Sequence, residues 1–358
     1  MSGNRLWQEV EDFCVRHQCG WSRDPVADDA QWGIHLNDDP PHNRLLGPVF
    51  SRGSVTGVVY RHGREVFAFG EPDRPDMTFS VTKTYLAMVA GVAFDRGLLT
   101  DLARPVCQVL PGVGFDDEHN CQITWHHLLP FTSEWNGTCF GVPDTVDRYR
   151  RVGMQPAVEG ADVLAPRKGD PRPLKAPGSY WEYNDVRINQ FSLALLYRVR
   201  QSLPDLFDAC FSSALSLSGT HHWYGYENSY VIVDGQRVQS VPGGGHWGGG
   251  MRISARDQAK IGCLLLNNGR VDGQQLLSTE WINLMTSACD IAPFYGYFTW
   301  LNTGRKIVPA ASEKSFFAFG VGGQVVWHDP ASSTVAVFRW IDTDHLNELV
   351  AMVSEVAT

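Results

Sequence analysis

Met77-Thr78-Phe79-Ser80-Val81-Thr82-Lys83 opens the stretch that decides the fold. Beyond it Tyr85, Met88, Val89 and Val92 fall at helical spacing, and Gly97 stands where a C′ glycine would stop a helix running from Ser80 to Arg96. Ser80 and Lys83 are then i and i+3 in a first turn, on one face, so hydroxyl and amine can meet. The positive helix end and burial both disfavour the ammonium form, which would let Lys83 take the Ser80 proton. A serine hydroxyl alone is a weak nucleophile, and a paired base is what the chemistry needs. Spacing alone does not decide the matter. S-x-x-K arises by chance about once in a chain this long, and it describes equally well a capping serine beside a solvated lysine.

Outward from this helix the pattern turns to strands. Residues 54–60 and 65–69 are β-type runs joined by Arg61-His62-Gly63-Arg64, a hairpin signal. Strand-like runs return at 324–328 and 334–341, followed by a helix near 344–354. Residues 3–17 suit a short amphipathic helix, and the Pro/Asp/His-rich stretch 24–44 reads as irregular surface chain. The middle mixes helical segments such as 190–200 with Pro/Gly-rich loops. Gly243-Gly244-Gly245-His246-Trp247-Gly248-Gly249-Gly250 is a glycine-dense loop without the Lys-Ser/Thr ending of a phosphate loop, and it reads as a backbone turn beside a pocket. It leads to a helix at 254–267 with Ser254 as N-cap. Strands at both ends around a helical middle predict an α+β protein whose antiparallel sheet is assembled from distant segments and flanked by helices. The expected division is an N-terminal extension (1–45), a sheet domain (46–99 with 226–358) and a mainly helical inserted region (100–225).

Composition narrows the function. The chain has 358 residues, 43% hydrophobic and 19% charged, which suits a globular protein with a large core and excludes a disordered one. Lys and Arg number 30 against 39 Asp and Glu, with no basic block, so nucleic acid is not an expected partner. The start is too polar for a signal peptide, and the most apolar run, 85–94, is about half a bilayer span. Eight scattered cysteines without a CxxC pair read as reduced thiols, and a cytoplasmic location with no membrane partner is the expectation. No H-E-x-x-H occurs, and the adjacent pairs His126-His127 and His221-His222 cannot converge on a helix, so neither metal nor cofactor is expected.

A hundred residues after Ser80, Pro177-Gly178-Ser179-Tyr180-Trp181-Glu182-Tyr183-Asn184-Asp185 sets a Pro-Gly turn before an aromatic segment entering a helix. Together with Ser80-Val81-Thr82-Lys83 it makes the chain resemble the serine β-lactamase-like superfamily, in its class C-type branch of esterases, D-amino-acid peptidases and 6-aminohexanoate-dimer-hydrolase-like enzymes. Other stretches agree in order. Ile123-Thr124-Trp125-His126-His127-Leu128-Leu129 with Thr132-Ser133 resembles the family's "ITxxHLLxxTSG". Residues 247–257 resemble its "GGL-x-S-x-x-D" helix entry, and Phe319-Gly320-Val321-Gly322-Gly323-Gln324 falls where its third motif should be. The resemblance spans about 45 to 345 and implies the β-lactamase/transpeptidase-like fold.

The resemblance implies roles. Ser80 would be the nucleophile, Lys83 its base and Tyr183 the acid/base that relays the proton to the leaving group and later activates water. The backbone N–H groups of Ser80 and Val321 would form the oxyanion hole. Asp185, Phe319, Gly320, Trp135 and Trp247 are the expected substrate-binding residues, and Trp300 is a third tryptophan suited to a cleft wall. Three positions depart from the family pattern: Asp185 for the Asn of Y-x-N, Ala318-Phe319 at the start of the third motif, and Glu134 for the Gly of T-S-G. The reading is a serine hydrolase acting through an acyl-enzyme on a small ester or amide. Its alternatives are an acyltransferase using the same acyl-enzyme and a non-catalytic ligand-binding relative. Oligomeric state is not legible.

Overall fold

The computed structural model describes residues 2–27, 29–153 and 166–356. Six antiparallel strands form the main sheet, in the spatial order Trp300–Leu301, Phe316–Gly320, Gln324–Asp329, Thr334–Arg339, Thr56–Arg61, Arg64–Phe69. Chain segments nearly 300 residues apart thus meet at its centre, with Val58 opposite Val337 and Val59 opposite Ala336. The expected hairpin is present. His62 (φ 47°) and Gly63 (φ 73°) both adopt positive φ, as a two-residue turn matched to strand twist requires.

Both faces of the sheet are covered, because alternate residues along each strand point to opposite sides. Val335, Val337 and Arg339 face the Ala255–Leu266 helix, where the Arg339 guanidinium donates to Gln258 Oε1 (2.9 Å) and Gly262 lies against Val335. On the other face Trp7 of the Ser2–Arg16 helix stacks on Phe67 (4.5 Å), and this helix packs on the C-terminal helix Leu346–Val356. Ser254 caps the Ala255–Leu266 helix through Asp257 N.

The helix after the serine motif runs Thr82–Asp95 and is apolar all round, so it is buried along almost its whole length. It starts two residues later than the periodicity suggests. Ser80 lies in the 3₁₀ turn Phe79–Val81 that leads into it. Between 100 and 225 the described chain holds one long helix, Asp185–Val199, among short turns and loops. Asn184 caps that helix by accepting from the amides of Val186 (3.0 Å) and Arg187 (3.1 Å). A three-stranded sheet of His222–Tyr224, Gly250–Ile253 and Asp76–Met77 ties the glycine-dense loop to the serine turn. There Thr78 N donates to Met251 O (3.0 Å) and Met251 N to Thr82 Oγ1 (3.0 Å).

Residues 24–44 are irregular as expected, but they are not simply surface chain. Trp32, His35 and Asp38 are buried. Trp32 joins Met77, Phe79 and Trp340 in a second apolar cluster, which turns the segment inward against the serine turn. The eight cysteines are free thiols. Among the described residues no helix is long and apolar enough to cross a membrane.

Candidate active site

Ser80 lies at the wall of a cavity of about 390 Å³ between the end of the Phe316–Gly320 strand and loop residues 150–153, Lys168 and Tyr183. Phe79, just before it, holds φ at 50°, a left-handed conformation that costs a bulky residue about 1 kcal/mol or more. Aromatic packing holds it there: Trp21 and Trp32 lie 5.4 Å from its ring and Trp340 lies 6.0 Å away. Gly320 presses on the same turn, and a Cβ there would collide with Thr78 O. The strand end and the serine turn therefore meet backbone to backbone, with Val321 next in the chain and lining the cavity.

Lys83 is 1% exposed, and its amine donates to Ser80 Oγ (2.9 Å) and to Asp185 Oδ1 (2.5 Å). The amine also lies 4.7 Å from the centre of the Tyr183 ring. Tyr183 lines the cavity and stacks on Trp300 at 5.7 Å. Asp185 does not reach the cavity. It opens the Asp185–Val199 helix, where the positive helix end favours a carboxylate. Burial works against its charge, but Arg150 (2.6 Å), Lys83 and His246 Nδ1 (3.2 Å) outweigh it and hold the carboxyl well below its usual range. The position at which the resemblance calls for a neutral amide thus carries a charge, and that charge is compensated.

The compensation extends away from the nucleophile. Arg150 Nη1 donates to Asp185 (2.6 Å) and Asp147 (3.1 Å) and lies 3.2 Å from His246 Nδ1. Lys168 pairs with Asp147 (3.0 Å) and with Asp38, whose carboxylate also accepts from His246 Nε2 (2.8 Å) and Trp247 Nε1 (3.0 Å). Asp147, Asp185 and His246 bring metal-ligand atoms within 4.8 Å of one another, but Arg150 Nη1 bonds to both carboxylates, lies 3.2 Å from His246 Nδ1 and occupies the place a cation would take. None of Arg150, Asp147, His246, Lys168 and Asp38 stood out in the sequence. The one available signal was His246, a lone imidazole within the glycine-dense loop. Gly244 in that loop allows the approach: a Cβ there would sit 2.8 Å from Lys83 Nζ and 3.5 Å from Ser80 Oγ.

The structure brings Ser80, Lys83, Tyr183, Asp185, Phe319, Gly320, Val321 and Trp300 together, with Lys83 and Asp185 beneath the others. Trp135 and Trp247 lie outside the cavity. Trp135 donates to Gly114 O (2.7 Å) and borders a separate surface pocket with Gln190. Trp247 is fully buried behind His246, stacked on its ring at 4.0 Å, with its indole N–H used by Asp38 and His42 O. Residues of the N-terminal stretch, Trp21, Ile34 and Asn37, supply part of the wall instead.

A family model described as Beta-lactamase matches residues 50–349. The chain belongs to the beta-lactamase family. It is a serine hydrolase related to the β-lactamases. Among curated relatives, a 6-aminohexanoate-dimer hydrolase of Paenarthrobacter ureafaciens is 26% identical over 322 residues, covering 82% of this chain and 72% of the relative. Among solved structures, EstCE1, described as a hydrolase with promiscuous acyltransferase activity, aligns with a TM-score of 0.62 at 15% identity over 99% of this chain and 98% of its own. A D-stereospecific amidohydrolase from Streptomyces sp. aligns at 0.54 with 17% identity, over 88% of this chain and 94% of its own. At these identities the structural likeness speaks for the fold. In this chain a buried ion cluster lies behind the lysine, and the cavity wall includes residues of the stretch before residue 50.

Proposed function

We propose that the protein hydrolyses small esters or amides through an acyl-enzyme on Ser80. The observation that carries this reading is the 2.9 Å hydrogen bond between Lys83 Nζ and Ser80 Oγ at the wall of a cavity. Ser80 Oγ attacks the substrate carbonyl carbon while its proton passes to Lys83. The amide N–H groups of Ser80 and Val321 receive the developing oxyanion, a large contribution where donors are already in place. Tyr183, beside the Lys83 amine, delivers a proton to the departing alcohol or amine. Water then attacks the acyl ester with Tyr183 as base, and Ser80 is regenerated. Trp21, Ile34, Trp300, Phe319 and Val321 give the cavity an apolar side suited to a neutral acyl chain or ring. The hydrolase of 6-aminohexanoate dimer among the relatives is in keeping with a linear amide as one such substrate.

Kinetics on p-nitrophenyl butyrate test the assignment. Lys83→Met and Tyr183→Phe should each lower kcat by about 100-fold or more, and the double variant should lose little beyond the worse single one, because both serve one proton relay. Additive losses would assign the two residues independent roles. Full activity in either variant would remove it from the mechanism.

A further inference from the structure

Lys83 faces more than the nucleophile. Ser80 comes from its own turn, Asp185 from the start of the Asp185–Val199 helix, the Tyr183 ring from the preceding loop, and the Gly244 backbone from the glycine-dense loop. Asp185 is shared. One carboxylate oxygen takes Lys83 at 2.5 Å and the other takes Arg150 at 2.6 Å and His246 at 3.2 Å, while its backbone N–H donates to Asp147 at 2.6 Å. With Lys83 as an ammonium, three cations (Lys83, Arg150, Lys168) meet three carboxylates (Asp185, Asp147, Asp38) around His246. The Arg150 guanidinium also lies 5.2 Å from the Tyr183 ring.

We propose that Arg150 is a positioning residue that holds Asp185 away from full possession of Lys83, so that the lysine can give up its proton and take that of Ser80. This rests on the reading of Ser80 and Lys83 given above. An unshared carboxylate at 2.5 Å would fix the ammonium form and stop the lysine from acting as a base. The guanidinium draws part of that negative charge, and its own second partner, Asp147, keeps it in place. The step itself moves one proton from Ser80 Oγ to Lys83 Nζ as Oγ bonds to the carbonyl carbon. The ammonium so formed stays paired with Asp185. A pair made of Asp185 and Arg150 thus stands in for the single asparagine of the usual motif.

The test is the pH profile of Ser80 labelling by a fluorophosphonate, which needs no knowledge of the natural substrate. Asp185→Asn should move the acid limb of the second-order labelling rate to lower pH by about one to three units, and Arg150→Gln should move it to higher pH by a similar amount. The double variant should return toward the wild-type limb, and Arg150→Lys, which keeps the charge, should stay near it. A purely structural role would lower the rate at all pH values without moving the limb. That result in Asp185→Asn, or a shift of both single variants in one direction, overturns the proposal. Should Arg150→Gln fail to show a folded circular dichroism spectrum, the Asp185→Asn and Arg150→Lys limbs decide alone. A wild-type protein that takes no label on Ser80 would instead overturn the underlying assignment of the nucleophile.

Discussion

Glu134 occupies, with φ at 50°, the position at which the Thr-Ser-Gly motif places a glycine. The backbone there is left-handed, a conformation that glycine adopts most readily. The side chain explains the exchange. It is fully buried, accepts from both ends of the Arg172 guanidinium (2.5 and 2.6 Å) and takes a third bond from Arg187 (2.9 Å). Burial pushes its acidity down, but these arginines and the Lys175 amide prevail, and the carboxyl sits at about 2. Its folded value is thus below the 4.5 of a free glutamate, so its stabilisation is complete above about pH 4.5 and is lost as pH falls from there toward 2. Glu134→Gln should flatten this part of the stability–pH curve measured by thermal melting. Glu134→Gly should relieve the backbone yet leave Arg172 with Glu182 alone and Arg187 with Asp144 and Glu182, a net loss of about 1–3 kcal/mol for the charge-assisted bonds removed. A glycine variant as stable as the wild type would mean that the charges are not coupled as their distances imply. None of this was legible beforehand. The mismatch with the motif was visible, but Arg172 and Arg187 lie 38 and 53 residues away along the chain, and no local pattern points to them.

At the level of elements, the strands and long helices could be read because each carries a periodic apolar face. The hairpin 56–69, the strands 324–339 and the helix 82–95 fall within a residue or two of their expected ends. The start of that helix was displaced because Phe79 is held in a left-handed conformation by tryptophans remote in sequence. The N-terminal stretch misled for a related reason. It is seated by single polar anchors such as Asp38, which accepts from His246 and Trp247, and such anchors leave no period to detect. The glycine-dense loop was placed beside the pocket by its composition, but its close approach to the lysine could not be read. That approach has a consequence. Gly244→Ala would set a methyl 2.8 Å from Lys83 Nζ and displace the amine. The protein should fold, KM on p-nitrophenyl butyrate should change little, and kcat should fall by about 100-fold, the usual penalty for a displacement near 1 Å. A kcat within twofold of wild type would show that the loop yields and does not position the lysine.

For the whole molecule, the sheet brings Phe319 to Gly323 to a cavity that is also lined by residues 150–153, Tyr183 and the N-terminal stretch. Ala318 pairs with Val326 inside the sheet, while Phe319 lines the cavity 6.2 Å from Trp300, so this strand offers no cation to a substrate carboxylate. Arg187 and Arg252 are engaged elsewhere, the first with Glu134 and Asp144 and the second over the Phe50 ring. Arg150 and Lys168 reach the cavity but are already paired with carboxylates. Loss of one charge-assisted hydrogen bond costs about 1.5–3 kcal/mol, or roughly 10- to 150-fold in affinity. The kcat/KM for p-nitrophenyl butyrate should therefore exceed that for nitrocefin at pH 7–8. The reverse order would assign Arg151, which also lines the cavity, a carboxylate-binding role. The central claim is chemical, and intact-protein mass spectrometry with peptide mapping after fluorophosphonate treatment tests it most directly. A single adduct on Ser80, absent from a folded Ser80→Ala variant, is the predicted result. An unlabelled wild-type protein, or an adduct on another residue that persists in the variant, would contradict it.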